Sequence, residues 1–270
     1  MSSDNCQEEL LHSVENSHGV LRLTMNDAAR RNALSEAMLQ SLGDVLERTA
    51  KNSRIRAIVL AANGPVFCAG HDLKEMTAGR QNADRGRNYF RKILNQCSSV
   101  MQKIITCPKP VIAEVDGVAT AAGCQLVASC DLAVASEDAQ FCTPGVHIGL
   151  FCSTPMVALS RNLANKHAME MLLTGDMVPA SRAAEMGLVN KVVPSIELRA
   201  ASMALAGKIA AKSSLTVATG KRAFYQQKEM GLAAAYNYAS KIMVENMLAR
   251  DAEEGIAAFI EKRAPDWRDE

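Results

Sequence analysis

The sequence predicts an α/β protein, a largely parallel sheet with crossover helices followed by a helical C-terminal region. Three observations carry that expectation. Arg56 to Ala62 (RAIVLAA), Val111 to Val115 and Leu132 to Ala135 are nearly continuous apolar runs, the pattern of strands buried on both faces. Between them Phe90, Ile93, Leu94, Cys97, Met101 and Ile104 recur at helical spacing. Strand signals end near Pro194, and periodic helical segments continue from Ile196 to about Ile260. Strands alternating with amphipathic helices are the mark of parallel crossover units.

Along the chain, Gly19 to Met25 alternates apolar and polar (Val20, Leu21, Leu23) and reads as a strand. A polar, basic connection from Asn26 to Asn32 follows. Ser35 is the candidate N-cap of a helix with Glu36 in its first turn, and Met38, Leu42, Val45, Leu46 and Thr49 follow at helical spacing. The boundary near Pro194 divides the chain into residues 1–195, an α/β core, and 196–270, a helical region packed on that core or on a neighbouring subunit.

Bulk properties exclude several classes. A chain of 270 residues, 48% hydrophobic and 22% charged, suits one large domain with a real core, alone or with a helical appendage. A net charge of +1 gives no broad field to recruit nucleic acid or an anionic membrane. No apolar run approaches the length of a membrane span. The leader carries acidic residues and lacks both an apolar signal core and the Arg-rich look of a transit peptide. All eight cysteines lie at or before Cys152, without CxxC spacing, and Cys97, Cys107, Cys124 and Cys130 sit inside apolar runs. Small buried thiols in a reduced core explain this better than disulfides or a metal site. A cytoplasmic protein is expected.

Two glycine-bearing junctions follow buried strands. In the first, a strand ends near Ala62 and the chain turns through Cys68-Ala69-Gly70 into a short helix starting near Asp72, which reads as its cap. The second runs from Asp116 and Gly117 through Thr120-Ala121-Ala122-Gly123 into a helix that continues past Ser129. Backbone N–H groups are left over where each helix begins. The small residues Ala69, Gly70, Ala121, Ala122 and Gly123 let a ligand approach the main chain closely. Two such donors facing one point would form an oxyanion hole for a thioester enolate.

The full wording is more specific. FCAGHDLKEM, VIAEVDGVATAAGCQLVASCD, MEMLLTGDMVPASRAAEMGLVNKVVP and EGIAAFIEKRAPDW occur in that order. Together they resemble the crotonase family, the enoyl-CoA hydratases, isomerases and their relatives, from about Gly19 to Trp267. The resemblance implies a β-β-α spiral with a C-terminal helical trimerisation region. Residues 1–195 would then hold an acyl-CoA pocket, and 196–270 would complete it and form the interface of a homotrimer or hexamer. It implies oxyanion N–H groups on His71 and Ala122, and a substrate pocket formed by Ala69, Gly70, His71, Asp72, Leu73, Lys74, Ala122 and Gly123. Arg31, and Lys262 from a neighbouring subunit, would meet CoA phosphates. Coenzyme A enters as part of the substrate, and no permanently bound cofactor or metal is implied.

The sequence departs from the family where hydratases carry two glutamates. The position after Gly123-Cys124 is Gln125, and the position after Pro144 is Gly145. An amide cannot accept a proton at neutral pH, and glycine offers no side chain. Each positioned acid–base group contributes about 10²–10⁴-fold, so efficient hydration is not expected here. The expected function is an acyl-CoA or enoyl-CoA-binding enzyme that stabilises an enolate, nominally a hydratase/isomerase-family lyase of fatty-acid metabolism. Isomerisation, decarboxylation and hydrolysis stay open as reactions, as does binding of acyl-CoA without chemistry. Restoring both carboxylates should raise hydration.

Other residues are candidate replacements. His147 lies two positions after Gly145 and, in a strand-like stretch, would share its face. Cys152 and Ser153 stand at a helix start where a nucleophile could serve thioester hydrolysis, but no base partner is evident. Glu114, inside a buried strand, reads as a paired charge. Arg85, Arg87, Arg91, Lys92 and Lys103 fall along one helical segment with Asp84 and no aromatic platform, a solvated face rather than a nucleic-acid surface.

Overall fold

The structure, a computed structural model, describes residues 9–270; Cys6 and the start of the leader lie outside the described residues. Strands β1 (Leu11–Glu15) and β2 (Val20–Met25) form an antiparallel hairpin. Ser35 caps α1 (Glu36–Lys51), its hydroxyl accepting from the Met38 N–H at 3.2 Å. Next come β3 (Ala57–Ala62), α2 (Leu73–Gly79) and α3 (Arg87–Thr106). They are followed by β4 (Val111–Val115), β5 (Val118–Thr120) and α4 (Ala122–Ser129). Then β6 (Leu132–Ser136) and β7 (Gln140–Cys142) lead through a 3-10 helix at Pro144–Ile148 to α5 (Ser153–Leu159) and α6 (Asn165–Thr174). Short elements β8 (Val178–Pro179), α7 (Ala180–Met186) and β9 (Lys191–Val193) close the α/β part. Helices α8 (Ser195–Ala210), α9 (Ser214–Gln227), α10 (Leu232–Met247) and α11 (Arg250–Glu261) complete the chain.

The main sheet has the order β1-β2-β3-β4-β6-β9, parallel from β2 onward, and a second sheet has the order β5-β7-β8. The chain therefore repeats one turn: a strand in the main sheet, a strand in the second sheet, then helix. β4-β5-α4 is one such turn, and β6-β7 followed by α5 and α6 is the next. The turn before them contains β3, and its second strand has shrunk to Cys68, whose main chain bridges Ala119 in parallel. This is the expected β-β-α spiral.

Side-chain alternation divides the main sheet between two cores. Leu21, Leu23, Met25, Ile58, Leu60, Ala113 and Val115 face the larger core. Val20, Ala57, Val59, Ile112 and Val134 face α8, which presents Leu198, Ser202, Ala206 and Ala210 at four-residue spacing. The first C-terminal helix thus seals one face of the sheet. Burying each large aliphatic side chain in these cores contributes about 1.5–3 kcal/mol. Glu114 lies on the α8 face and is a paired charge, as expected: Arg22 bridges to it at 2.6 Å and the Ser202 hydroxyl donates to it. It is therefore no cavity carboxylate.

Two details position the site. On α3, Ile93, Cys97, Val100, Met101 and Ile104 are buried in the core, while Phe90 and Leu94 are only half-buried. The cysteines from Cys68 to Cys152 are free and buried, in agreement with a reduced core.

Candidate active site

The repeat builds the site. Cys68 N–H donates to the Val118 carbonyl at 3.1 Å, and Thr120 N–H to the Cys68 carbonyl at 3.0 Å. One turn on, Thr120 pairs with Cys142, and Ala121 N–H donates to the Cys142 carbonyl at 2.9 Å. Cys68, Ala119 and Phe141 therefore hold equivalent places on three consecutive turns. Two and three residues beyond Cys68 and Ala119, Gly70-His71 and Ala121-Ala122 are stacked about one strand spacing (~4.8 Å) apart.

Two peptide planes then fix two donors. The Gly70 carbonyl accepts from Leu34 N–H at 2.8 Å, and the Ala121 carbonyl accepts from Gln125 N–H at 3.0 Å inside α4. In a trans peptide the N–H points opposite to its carbonyl, so the N–H groups of His71 and Ala122 face away from these partners. Neither donates to an acceptor among the described residues. The turns approach closely because Gly70 has no side chain and sits at φ +84°; a Cβ there would stand 3.0 Å from Ala121 Cβ and 3.2 Å from the Ala122 nitrogen. Gly123 is under the same constraint, since its Cβ would lie 2.2 Å from the Cys68 carbonyl oxygen. Ala121 itself is held at φ +51°, ψ −117°, a conformation costly for any residue with a Cβ.

His71 and Ala122 line a cavity of about 540 Å³ whose wall is mainly apolar, with Leu73, Met76, Phe90, Leu94, Ile148 and Phe151. Ala69, Gly145 and His147 also line it, whereas Gly70 and Gly123 lie behind the wall. Asp72 is turned inward as the N-cap of α2, accepting from Lys74 N–H at 2.8 Å and Glu75 N–H at 3.2 Å. Lys74 is exposed beside a shallow groove with Thr77 and Gln81. Arg31 and Lys262 are exposed and outside the lining; Arg31 contributes its carbonyl, which accepts from Ala69 N–H at 3.1 Å.

The lining contains no aspartate or glutamate. Gln125 is buried with Oε1 lacking a hydrogen-bond partner, and it does not reach the lining. The titratable lining groups are His71, Arg80, His147 and Cys152. Burial holds the His71 imidazole below its ordinary pKa, with the Leu34 main chain opposing weakly, and neither ring nitrogen makes a full hydrogen bond. Burial raises the Cys152 thiol, against a smaller effect of the Gly145 main chain, so the sulfur is a protonated thiol at neutral pH. His147 does not share a face with Gly145. Its segment is a 3-10 helix rather than a strand, and at three residues per turn a spacing of two turns the side chain by roughly 240°. Its Nε2 lies 2.8 Å from the Thr174 carbonyl, which ties the ring to the end of α6.

Sequence reasoning missed Met76, Arg80, Phe90 and Leu94 as lining residues. Phe90 and Leu94 carried a signal, since they lie one turn apart on α3, but that spacing is also the spacing of a core face. Ile148, Leu150 and Phe151 follow Gly145 as a short apolar run without period, and only the tertiary path brings them to the cavity.

A spiral of stacked β-β-α turns, with main-chain donors left over on two of them, defines the class as crotonase-like. The chain belongs to the enoyl-CoA hydratase/isomerase family, whose model matches residues 15–270. It is similar to the mitochondrial enoyl-CoA hydratase domain-containing protein 3 of Mus musculus, at 47% identity over 260 residues, 96% of this chain and 85% of the relative. Among solved structures, an enoyl-CoA hydratase of Mycobacterium smegmatis superposes with a TM-score of 0.92 at 50% identity, covering 96% of this chain and 99% of that one. The human enoyl-CoA hydratase domain-containing protein 3 superposes with a TM-score of 0.90 at 45% identity, covering 96% of this chain and 100% of that one. The expectation of a cytoplasmic protein is corrected by these relatives, since the mouse, frog and human proteins are mitochondrial. Free thiols mark a reducing compartment and do not choose among reducing compartments.

Proposed function

We propose that this protein binds acyl-CoA thioesters with the thioester oxygen between the N–H groups of His71 and Ala122, and stabilises the enolate formed there. The observation that carries this reading is the pair of unsatisfied donors on adjacent turns, both bordering one apolar cavity. An oxyanion in a mainly apolar site gains far more from two fixed donors than it would in water, because nothing has to reorient as charge develops. Coenzyme A would arrive with the substrate, its phosphates meeting Arg31 and, from a neighbouring copy, Lys262.

Hydration by paired carboxylates is not part of the proposal, because the lining holds no carboxylate. Enolate formation still needs a base for the α-proton, and His71 is the group we assign. Burial holds its imidazole neutral at pH 7, and because both ring nitrogens are buried, a turn of the ring is needed to present one to the cavity. The proton would pass from the α-carbon to imidazole nitrogen while the electron pair moves to the thioester oxygen. Its return to the γ-carbon of an enoyl chain gives isomerisation, and its return to the α-carbon gives no net change.

Exchange of the α-protons of a saturated acyl-CoA in D2O, followed by NMR, tests this directly. Exchange well above the buffer rate is expected. Thermal stabilisation by the same ester without exchange would support the second reading, a non-catalytic acyl-CoA-binding protein, which the missing carboxylates favour. No stabilisation by any CoA ester would refute both.

A further inference from the structure

Arg80 is the one permanent cation among the lining residues of the cavity. It directly follows α2, the helix that starts beside His71, so about nine residues and roughly 12 Å of helical rise separate it from the thioester end. Its guanidinium carbon stands 5.3 Å from the centroid of the Phe90 ring, a cation–π contact that holds one face of the group against the wall. Among the described residues Arg80 has no ion pair and its side chain has no hydrogen-bond acceptor. Arg80 is exposed, so its edge is open to solvent and to a ligand alike. The cavity wall supplies no acid either.

A guanidinium stacked on an aromatic ring keeps its edge free, and that edge is a planar fork of donors matched to a carboxylate. We propose that the cavity selects acyl chains ending in a carboxylate, with Arg80 receiving the ω-carboxyl group while the thioester lies at His71 and Ala122. The apolar stretch between, with Met76 and Leu94, suits the methylenes of such a chain. The inference rests on the thioester reading above and adds the substrate class to it.

The test compares octanoyl-CoA with suberyl-CoA, which have equal carbon counts and differ only at the far end. Calorimetric affinities are measured for the natural protein, Arg80→Gln and Arg80→Lys. The natural protein should prefer suberyl-CoA by about three- to fivefold, as expected for a charge-assisted contact at an exposed guanidinium. Arg80→Gln should remove the preference and leave octanoyl-CoA binding within about twofold. Arg80→Lys should keep part of it, having the charge without the fork. Equal weakening of both esters by Arg80→Gln would show that the guanidinium serves a phosphate of CoA, and would overturn the proposal. So would the absence of any preference in the natural protein. If neither ester binds the natural protein, the thioester reading itself fails, an outcome distinct from both.

Discussion

Gly145 and Cys152 touch across the cavity wall: a Cβ built on Gly145 would stand 2.9 Å from Cys152 Sγ and 2.8 Å from the Leu150 carbonyl oxygen. The place where a hydratase glutamate would emerge is therefore filled. Gly145→Ala should lower stability by about 1–3 kcal/mol through overpacking. Cys152→Gly in the same chain should recover part of that loss, because it removes one of the two clashing atoms. A thermal double-mutant cycle measures the coupling, and strict additivity would show that the wall relaxes some other way. The simple restoration of both carboxylates by Gln125→Glu and Gly145→Glu is accordingly not expected to create a hydratase, a correction to the sequence-based expectation.

Ala121 carries the strain of the site. Its φ of +51° with ψ −117° aims the Ala122 N–H, and glycine could adopt that conformation freely. Ala121→Gly should stabilise the fold by up to about 1 kcal/mol, while Ala121→Val should destabilise it by more than that. Denaturant midpoints decide. A more stable valine variant would contradict the backbone geometry.

The buried imidazole of His71 gives a pH dependence of known sign. Its folded-state pKa lies below the ordinary 6.5, so the unfolded chain binds the proton first as pH falls. Stability should be unaffected by this group above about pH 7 and should decline from about pH 6.5 downward until the folded-state pKa is reached. His71→Gln keeps the main-chain N–H and should flatten that part of the stability curve, measured as denaturant midpoints from pH 8 to 5. The same variant should keep acyl-CoA binding and lose most of the α-proton exchange. Unchanged exchange would remove the imidazole from the proposed chemistry.

What could be read in advance follows from what each signal depends on. The buried runs at Ala57–Ala62 and Val111–Val115 and the Ser35 and Asp72 caps are local, and the structure places each as expected. The close pairing of Gly70 with Ala121 was legible only through the family resemblance, because it arises from stacking turns far apart in sequence. Cys152 beneath Gly145 was illegible, since a 3-10 helix and the apolar run after it have no period to read. His147 was misdirected for the same reason: a helix stood where alternation was assumed.

Arg22 reaches across β3 to Glu114 at 2.6 Å, and both side chains are shielded by α8, with relative exposures of 17% and 6%. Breaking a buried pair strands the remaining charge. Glu114→Ala should cost about 3–5 kcal/mol, and adding Arg22→Met should return most of it. Unfolding in denaturant measures both, and a mild effect of Glu114→Ala alone would mean that water reaches Arg22.

The C-terminal helices leave a surface that calls for a partner. No residue of α9 or α10 is fully buried, and Tyr236, Val244, Leu248, Phe259 and Ile260 are all more than half exposed. Yet the region is anchored to the core, because Lys221 donates to Asp131 at 2.6 Å and Tyr225 to the same carboxylate at 2.9 Å. An anchored helical layer that exposes this many large apolar side chains suits self-association, since exposed apolar area is costly in water. The expected assembly is a homotrimer or a pair of trimers. Leu248→Arg together with Phe259→Asp should shift the mass in light scattering toward the 29.0 kDa monomer while leaving the far-ultraviolet helix signal intact. A natural protein that is already monomeric at micromolar concentration would rule this out, and would leave Lys262 with no neighbouring cavity to enter.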